Sequence, residues 1–264
     1  MRYGAQRSAI VFQNERPFSL AATNGEWLRG YVQGSGCGPA GVFVHGFRST
    51  CAGDKSLVLA QSASQYGRSW VRFDLRGHGD SGGEFRNFRI SAALDDVLNV
   101  VDWCPRVPLV IIGSSLGGWL GVLAAQARPQ RIARLMLIAP AFNFIEEVFA
   151  TIPAAQLRAW RERGEMRFDD TFTNGQFSLP YAVLDDARRF DVLDRDLCLP
   201  CPVDIYHGEQ DEIASIGLSR HFAARVSAPS VEMHAIPGGD HRLKAAIPRI
   251  LQNLKQTWGT YAHG

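Results

Sequence analysis

Short apolar runs alternate with longer segments of helical period along most of the chain. The runs predict buried strands, and the segments between them predict amphipathic helices, because apolar residues recur there every three or four positions. The predicted strands lie at residues 42–44, 70–73, 109–112, 135–138, 203–206 and 231–236, and the predicted helices at residues 54–66, 89–104, 116–127, 215–226 and 242–257. Strands that alternate with helices indicate an α/β fold, a mostly parallel sheet with helices on both faces.

Two segments depart from this alternation. Residues 8–34 read as two antiparallel strands joined at Asn24-Gly25, a dipeptide typical of hairpins. Residues 141–200 hold short amphipathic pieces and no convincing core strand. A long insertion of this kind is often a lid, and the alternative is a subdomain that only packs on the core. We predict one domain over residues 1–264 with a helical lid insertion at about residues 141–200.

Composition and charge narrow the class of protein. The chain of 264 residues is 46% hydrophobic and 20% charged, which is typical of a globular protein with a large core. The net charge is +2 and no basic tract is present, so we predict no nucleic-acid partner. The uncharged run between Arg106 and Arg128 contains Pro108 and several glycines, so it reads as a strand, a turn and a helix rather than a membrane span. The first residues lack the apolar stretch of a signal peptide, and we expect a cytoplasmic location.

The cysteines favour neither a disulfide framework nor a metal site. They are odd in number and scattered, at Cys37, Cys51, Cys104, Cys198 and Cys201. Cys198 and Cys201 form a C-x-x-C, but no second pair or nearby histidine completes a zinc site. We therefore predict structural thiols and no metal or organic cofactor.

The segment Gly113–Gly117 matches the pattern G-x-S-x-G between a predicted strand and a predicted helix. A serine on such a sharp turn is exposed as a nucleophile, and glycines on either side leave room for neighbouring backbone. We therefore predict Ser115 as the nucleophile. The segment GDSGG at residues 79–83 resembles a trypsin-like motif, but it follows a parallel strand in an α/β chain, so we predict a structural loop that includes His78.

A serine nucleophile needs a histidine base and a carboxylate that orients it. His241 lies in the loop after the last predicted strand, whereas His207 ends a strand and precedes every plausible acid. Asp211 follows the strand at residues 203–206, with Glu209 and Glu212 as its acidic neighbours. In chain order serine, acid, histidine, we predict Ser115, Asp211 and His241 as the catalytic residues.

Two backbone amides are candidates for the oxyanion hole. Leu116 begins the helix after the serine, and Phe47 follows Gly46 in the loop after the strand at 42–44. His45 precedes this pair, and we predict that it supports the loop by hydrogen bonding.

Several segments carry a family resemblance over nearly the whole chain. They are VRFDLRGHGDSGGEF at 71–85, GSSLGGW at 113–119, CPVDIYHGEQDEI at 201–213 and GGDHRL at 238–243. The chain resembles the α/β-hydrolase superfamily, and within it the subgroup of the mitochondrial palmitoyl-protein thioesterase and acyl-glucuronide esterase with its bacterial relatives. The resemblance implies the same three catalytic residues, with Phe47 and Leu116 as oxyanion donors.

These observations predict a serine carboxylesterase or thioesterase that cleaves esters or thioesters of an apolar acyl group through an acyl-enzyme. Its substrate is a small molecule. The insertion carries large apolar side chains, among them Phe172, and we predict that Phe144 and Phe149 form part of the acyl pocket. One alternative is a feruloyl (cinnamoyl) esterase. Another is a proline-iminopeptidase-like peptidase, for which Glu146 or Glu147 would hold the substrate's amino terminus.

Overall fold

An eight-stranded sheet organises the chain in the computed structural model, which describes residues 14–34, 40–105, 107–170 and 175–260. The strands are β1 (Glu15–Ala21), β2 (Trp27–Gln33), β3 (Ala40–Val44), β4 (Trp70–Phe73), β5 (Leu109–Ser114), β6 (Ile132–Ile138), β7 (Glu165–Asp170), β8 (Gly175–Pro180), β9 (Val203–Gly208) and β10 (Val231–Ile236). The sheet has the order β1-β2-β4-β3-β5-β6-β9-β10. Strands β1, β2 and β4 pair antiparallel, and the pairs β4–β3, β3–β5, β5–β6, β6–β9 and β9–β10 are parallel. The predicted mostly parallel α/β fold is confirmed.

Helices cover both faces of this sheet. They are α1 (Asp54–Gln65), α2 (Ile90–Trp103), α3 (Leu116–Ala127), α4 (Phe144–Ala150), α5 (Ala154–Arg163), α6 (Ala182–Ala187), α7 (Ile216–Arg225) and α8 (Ile247–Thr260). Side chains of the central strands alternate between two buried clusters. Val42 and Val44 of β3 join the cluster with α2 and α3, and Phe43 joins the cluster with α1 and α8. Burial on both faces explains why these strands read as continuous apolar runs.

The N-terminal hairpin is present, with Gly25 at φ +83° in the turn between β1 and β2. Residues 8–13 of the predicted first strand lie outside the described residues, as do Cys37 and Phe172. The uncharged run divides into β5, a turn and α3. Within the described residues, no helix has the length and apolar character needed to cross a membrane.

The structure corrects two predictions. The last helix begins at Ile247 instead of residue 242, because Leu243 takes a left-handed conformation (φ +50°) and a 3₁₀ turn, Lys244–Ala246, comes first. The insertion is not only helical, because β7 and β8 form an antiparallel hairpin within it. Phe168 of β7 pairs with Phe177 of β8, and their stacked rings lie 5.5 Å apart. Each strand has only six residues, so its alternation of apolar and polar positions is too short to stand out in the sequence beside the neighbouring helices.

Candidate active site

Ser115 lies on a strained turn between β5 and α3. Its backbone has φ +56° and ψ −119°, a region that non-glycine residues rarely occupy. A Cβ atom at Gly113 would lie 2.2 Å from the Gly117 carbonyl oxygen, and one at Gly117 would lie 2.1 Å from the Val44 carbonyl oxygen. Both flanking positions must therefore be glycine for β3, β5 and α3 to approach so closely.

Ser115, His241 and Asp211 form a chain of hydrogen bonds. The Ser115 Oγ lies 3.1 Å from His241 Nε2, and His241 Nδ1 lies 2.8 Å from Asp211 Oδ2. The three residues follow β5, β10 and β9 respectively, so they meet at the carboxyl edge of the parallel strands. In this geometry the Nδ1 proton bonds to the carboxylate, and Nε2 is left to accept the serine proton.

The Asp211 carboxylate is buried and accepts hydrogen bonds on both oxygens. Oδ1 lies 2.9 Å from the backbone nitrogens of Ile213 and Ala214. Oδ2 bonds to His241 and also lies 3.1 Å from Nε2 of His207. Burial raises the pKa of this carboxyl, but the hydrogen bonds from His207 and His241 outweigh it and hold the pKa well below its usual range. Asp211 is therefore an anion at neutral pH.

The two predicted oxyanion donors flank the serine. Leu116 is the first residue of α3, where backbone amides lack partners within the helix. Phe47 follows Gly46, and a Cβ atom at Gly46 would lie 3.1 Å from the Cβ atom of Ser115. This close approach brings the loop after β3 beside the serine.

Two buried histidines support that loop. His45 accepts a hydrogen bond from the Leu75 amide at Nε2 (3.0 Å), and its Nδ1 donates to the Gly46 carbonyl (2.8 Å). His78 accepts from the Arg48 amide at 3.2 Å. Burial lowers the pKa of His45 to about 4 and that of His78 to about 3, so both are neutral at pH 7. The structural role predicted for both residues is confirmed.

The GDSGG segment is also structural. The Ser81 hydroxyl donates to the Asp74 carbonyl (2.6 Å) and accepts from the Arg29 amide (2.9 Å). The Asp74 carboxylate accepts from the amides of Cys51 and Asp80. The Ser81 hydroxyl therefore forms hydrogen bonds with the backbone and stabilises this loop.

A cavity of about 480 Å³ opens in front of Ser115 and His241. Its apolar lining includes Phe47, Ala141, Phe142, Phe144, Val148, Ile213 and Leu218, and its polar lining includes Arg48, Thr50, Lys55, Glu147, Arg242 and Lys244. Among the insertion residues that the structure describes, those that line the cavity all lie within residues 141–148. The hairpin β7–β8 instead packs its Phe177 ring against the ring of Phe47, 5.6 Å away.

The two aromatic residues predicted for the acyl pocket lie in different places. Phe144 lines the cavity. Phe149 does not, since it is 4% exposed and its ring stacks on Trp160 at 4.3 Å within the insertion. On a helix of 100° per residue, five positions separate side chains by about 140°, so α4 cannot direct both rings to one site. The prediction that Phe149 forms part of the acyl pocket is therefore wrong.

Comparison with known protein families identifies the family of this chain. Residues 42–246 match the model described as the alpha/beta hydrolase family. This chain belongs to the α/β-hydrolase family.

Among the relatives of this α/β-hydrolase are mammalian thioesterases. The palmitoyl-protein thioesterase ABHD10, mitochondrial, of Rattus norvegicus is 31% identical over 81% of this chain and 72% of its own length. The Homo sapiens protein of the same name is 27% identical over 81% of this chain and 70% of its own length. The solved structure of the alpha/beta hydrolase domain-containing protein 10 from mouse is 28% identical, with a TM-score of 0.83 over 91% of this chain and 97% of that chain.

These relatives contradict the location expected from the sequence. The rat and human proteins are both named as mitochondrial. The prediction of a cytoplasmic location, which rested on the absence of an apolar signal peptide and on scattered cysteines, is therefore wrong.

Two residues at the site of this α/β-hydrolase have no role in the prediction made from the sequence. The sequence argues against His207 as the base, but in the structure this histidine contacts the acid. Its position at a strand end, four residues before Asp211, is the sequence feature that could have indicated this contact. Lys55 lines the cavity, and its Nζ donates to the Arg242 carbonyl at 3.2 Å. Burial lowers the pKa of Lys55 to about 8. Nothing in the apolar periodicity pointed to Lys55.

Within the part of the chain that the structure describes, one group of side chains has donor atoms close enough for a metal ion. The donor atoms of Asp204, Glu232 and His234 lie within 4.8 Å of one another on β9 and β10. However, both carboxylate oxygens of Asp204 accept from the guanidinium of Arg134, at 2.6 and 3.0 Å. That cation opposes the binding of a second one.

Proposed function

We propose that this chain hydrolyses carboxylic esters or thioesters of an apolar acyl group, with Ser115 as the nucleophile. The observation that carries the proposal is the hydrogen-bond chain from Ser115 through His241 to Asp211 on a strained turn. The family supports a hydrolase, and relatives named as palmitoyl-protein thioesterases support thioesters among its substrates.

In the first step Ser115 Oγ attacks the acyl carbon while His241 Nε2 takes its proton. The Asp211 carboxylate stabilises the resulting imidazolium and keeps its ring oriented. The carbonyl oxygen becomes an anion, for which the amides of Phe47 and Leu116 are the proposed donors. The intermediate then collapses, the bond to the leaving group breaks, and His241 returns the proton to the alcohol or thiol. This leaves an acyl-enzyme on Ser115.

In the second step a water molecule takes the place of the leaving group. His241 removes a proton from the water, whose oxygen attacks the acyl carbon. The bond to Ser115 Oγ then breaks, and the serine regains its proton from His241. The products are a carboxylic acid and the free enzyme, so the cycle balances without a cofactor.

The cavity lining supports an apolar acyl group. The partly exposed Phe144 and Leu218 present hydrocarbon on the walls of the cavity, Phe142 backs the wall from a fully buried position, and Val148 and Ile213 are exposed at its rim. Burial of a methylene group contributes about 0.8 kcal/mol. We therefore propose that the first part of the insertion, residues 141–148, acts as the roof of the acyl site within a single domain.

The two alternative functions have unequal support. Est1E from Butyrivibrio proteoclasticus, solved with ferulic acid, shares the fold at 22% identity (TM-score 0.77, over 94% of this chain), so a feruloyl esterase rests on fold alone. For a peptidase, Glu147 lines the cavity and is exposed, whereas Glu146 lies 3.7 Å from Arg188. Glu147 is therefore the carboxylate that would hold an amino terminus.

The test compares three substrate types on one preparation. We expect hydrolysis of p-nitrophenyl butyrate and of S-butyryl thiocholine, and no hydrolysis of aminoacyl p-nitroanilides. The Glu147→Gln variant should hydrolyse the ester and the thioester at the wild-type rate. If the anilides were the better substrates and Glu147→Gln abolished their cleavage, the peptidase would replace our proposal.

A further inference from the structure

A second histidine lies behind the acid of the site. His207 is at the end of β9, and its side chain is fully buried. Its Nε2 lies 3.1 Å from Asp211 Oδ2 and 2.9 Å from the Ala214 carbonyl oxygen. Its Nδ1 lies 2.8 Å from the hydroxyl oxygen of Ser219, a fully buried residue of α7.

These contacts fix where the His207 proton lies. Nε2 faces two oxygen acceptors, the Asp211 carboxylate and the Ala214 carbonyl, so it carries the proton and donates to them. Nδ1 then accepts from the Ser219 hydroxyl, which can act as a donor. A donor at Nδ1 polarises the ring and makes Nε2–H a stronger donor.

We propose that His207 is a positioning residue that holds Asp211 Oδ2 and limits its basicity, an inference that rests on the proposed function. The hydrogen-bond chain then has five members and runs from Ser115 through His241, Asp211 and His207 to Ser219. Two imidazoles share Oδ2 as acceptor, and the amides of Ile213 and Ala214 hold Oδ1. When His207 alone is changed, the carboxylate therefore stays bound through Oδ1, but Oδ2 keeps one donor instead of two and is held less firmly.

The direction of the effect follows from this shared acceptor. A donor to Oδ2 withdraws negative charge that would otherwise stabilise the His241 imidazolium. Removing the His207 donor therefore leaves more negative charge on Oδ2 to stabilise the His241 imidazolium. The charged groups around the acid and the base include Lys55 of α1, which interacts with Asp211, Asp240 and Arg242, whereas Glu209 pairs with Arg220 at the surface. All of them remain in the variants below.

The test is the pH profile of kcat/KM for p-nitrophenyl butyrate, whose acid limb reports the base of the free enzyme. His207→Phe keeps a ring of similar size without the donor. We expect its acid limb to move to higher pH by about half a unit and its plateau kcat to fall about tenfold. His207→Gln, whose amide can donate to Oδ2, should restore the limb. His221→Phe is the control at another histidine, because this exposed residue of α7 contacts the Leu193 carbonyl instead, and its limb should not move.

An acid limb that stays in place or moves to lower pH in His207→Phe would overturn the inference, as would a Gln variant that behaves like the Phe variant. If His207→Phe does not fold, Ser219→Ala removes only the donor to Nδ1, and we expect a smaller shift in the same direction. An unmoved limb there also overturns the inference. Labelling by a fluorophosphonate separates the two proposals: wild type without label at Ser115 refutes the proposed function, and labelled wild type with an unmoved limb refutes only the role of His207.

Discussion

The two phenylalanines of α4 give a paired prediction, because they lie five residues apart on one helix and have different surroundings. Phe144 lines the cavity, 5.1 Å from the ring of Phe47 and 6.2 Å from that of Trp119. Phe149 is 4% exposed and stacks on Trp160. Replacing each with alanine should therefore separate substrate selectivity from stability.

The magnitudes follow from what each ring contacts. Each methylene of an acyl chain buried in the cavity contributes about 0.8 kcal/mol, or about a fourfold gain in kcat/KM. Loss of the Phe144 ring removes the contact of one or two methylenes, so kcat/KM for a long chain should fall about 4- to 15-fold. Loss of the buried Phe149 ring should lower the free energy of unfolding by about 3–5 kcal/mol.

The assay measures kcat/KM for p-nitrophenyl acetate, butyrate, hexanoate and octanoate, with urea unfolding of each variant. Phe144→Ala should reduce the gain with chain length and leave acetate nearly unchanged. Phe149→Ala should keep the wild-type profile and unfold at lower urea. The reasoning is refuted if Phe144→Ala leaves the profile unchanged, or if Phe149→Ala flattens it equally.

Three further changes test other parts of the site. Asp211→Asn should lower kcat by about 10³–10⁴ through a misplaced histidine proton, while Glu209→Gln, at an exposed position, should not; the opposite ranking would move the acid to Glu209. Gly117→Ala places a Cβ atom 2.1 Å from the Val44 carbonyl oxygen, and we expect a loss of several kcal/mol in urea unfolding; wild-type stability would contradict this packing. His45 has its pKa lowered to about 4, so the unfolded chain binds its proton first as the pH falls below about 6.5. Wild type should therefore lose about 2 kcal/mol more than His45→Gln between pH 7 and pH 4.5, and equal losses would be inconsistent with a neutral buried histidine.

The core of the fold could be predicted because its strands are buried on both faces. Continuous apolar runs such as β5 stand out from the amphipathic segments on either side. The turn at Ser115 was predictable for a different reason, since only glycine fits at Gly113 and Gly117. Both signals are local in sequence.

The rest depends on contacts between distant segments. The hairpin β7–β8 is stabilised by Phe177 against Phe47, a contact that no local pattern encodes. The direction of Phe149 is set by Trp160, which follows in a separate helix. The contact between His207 and Asp211 is an exception, because the two residues are only four positions apart, but a histidine at a strand end does not by itself distinguish a partner of the acid from the base.

The most direct test of the central claim is to find which residue becomes covalently modified. Wild type and Ser115→Ala would be treated with a fluorophosphonate, and the modified peptide identified by mass spectrometry alongside the rate of ester hydrolysis. We predict one adduct per chain, on Ser115, with loss of hydrolysis in step with labelling. Ser115→Ala should remain unlabelled, with kcat reduced by about 10⁴–10⁶. An adduct on Ser114 or Ser81, or a Ser115→Ala variant that keeps a tenth of the wild-type kcat, would contradict the account.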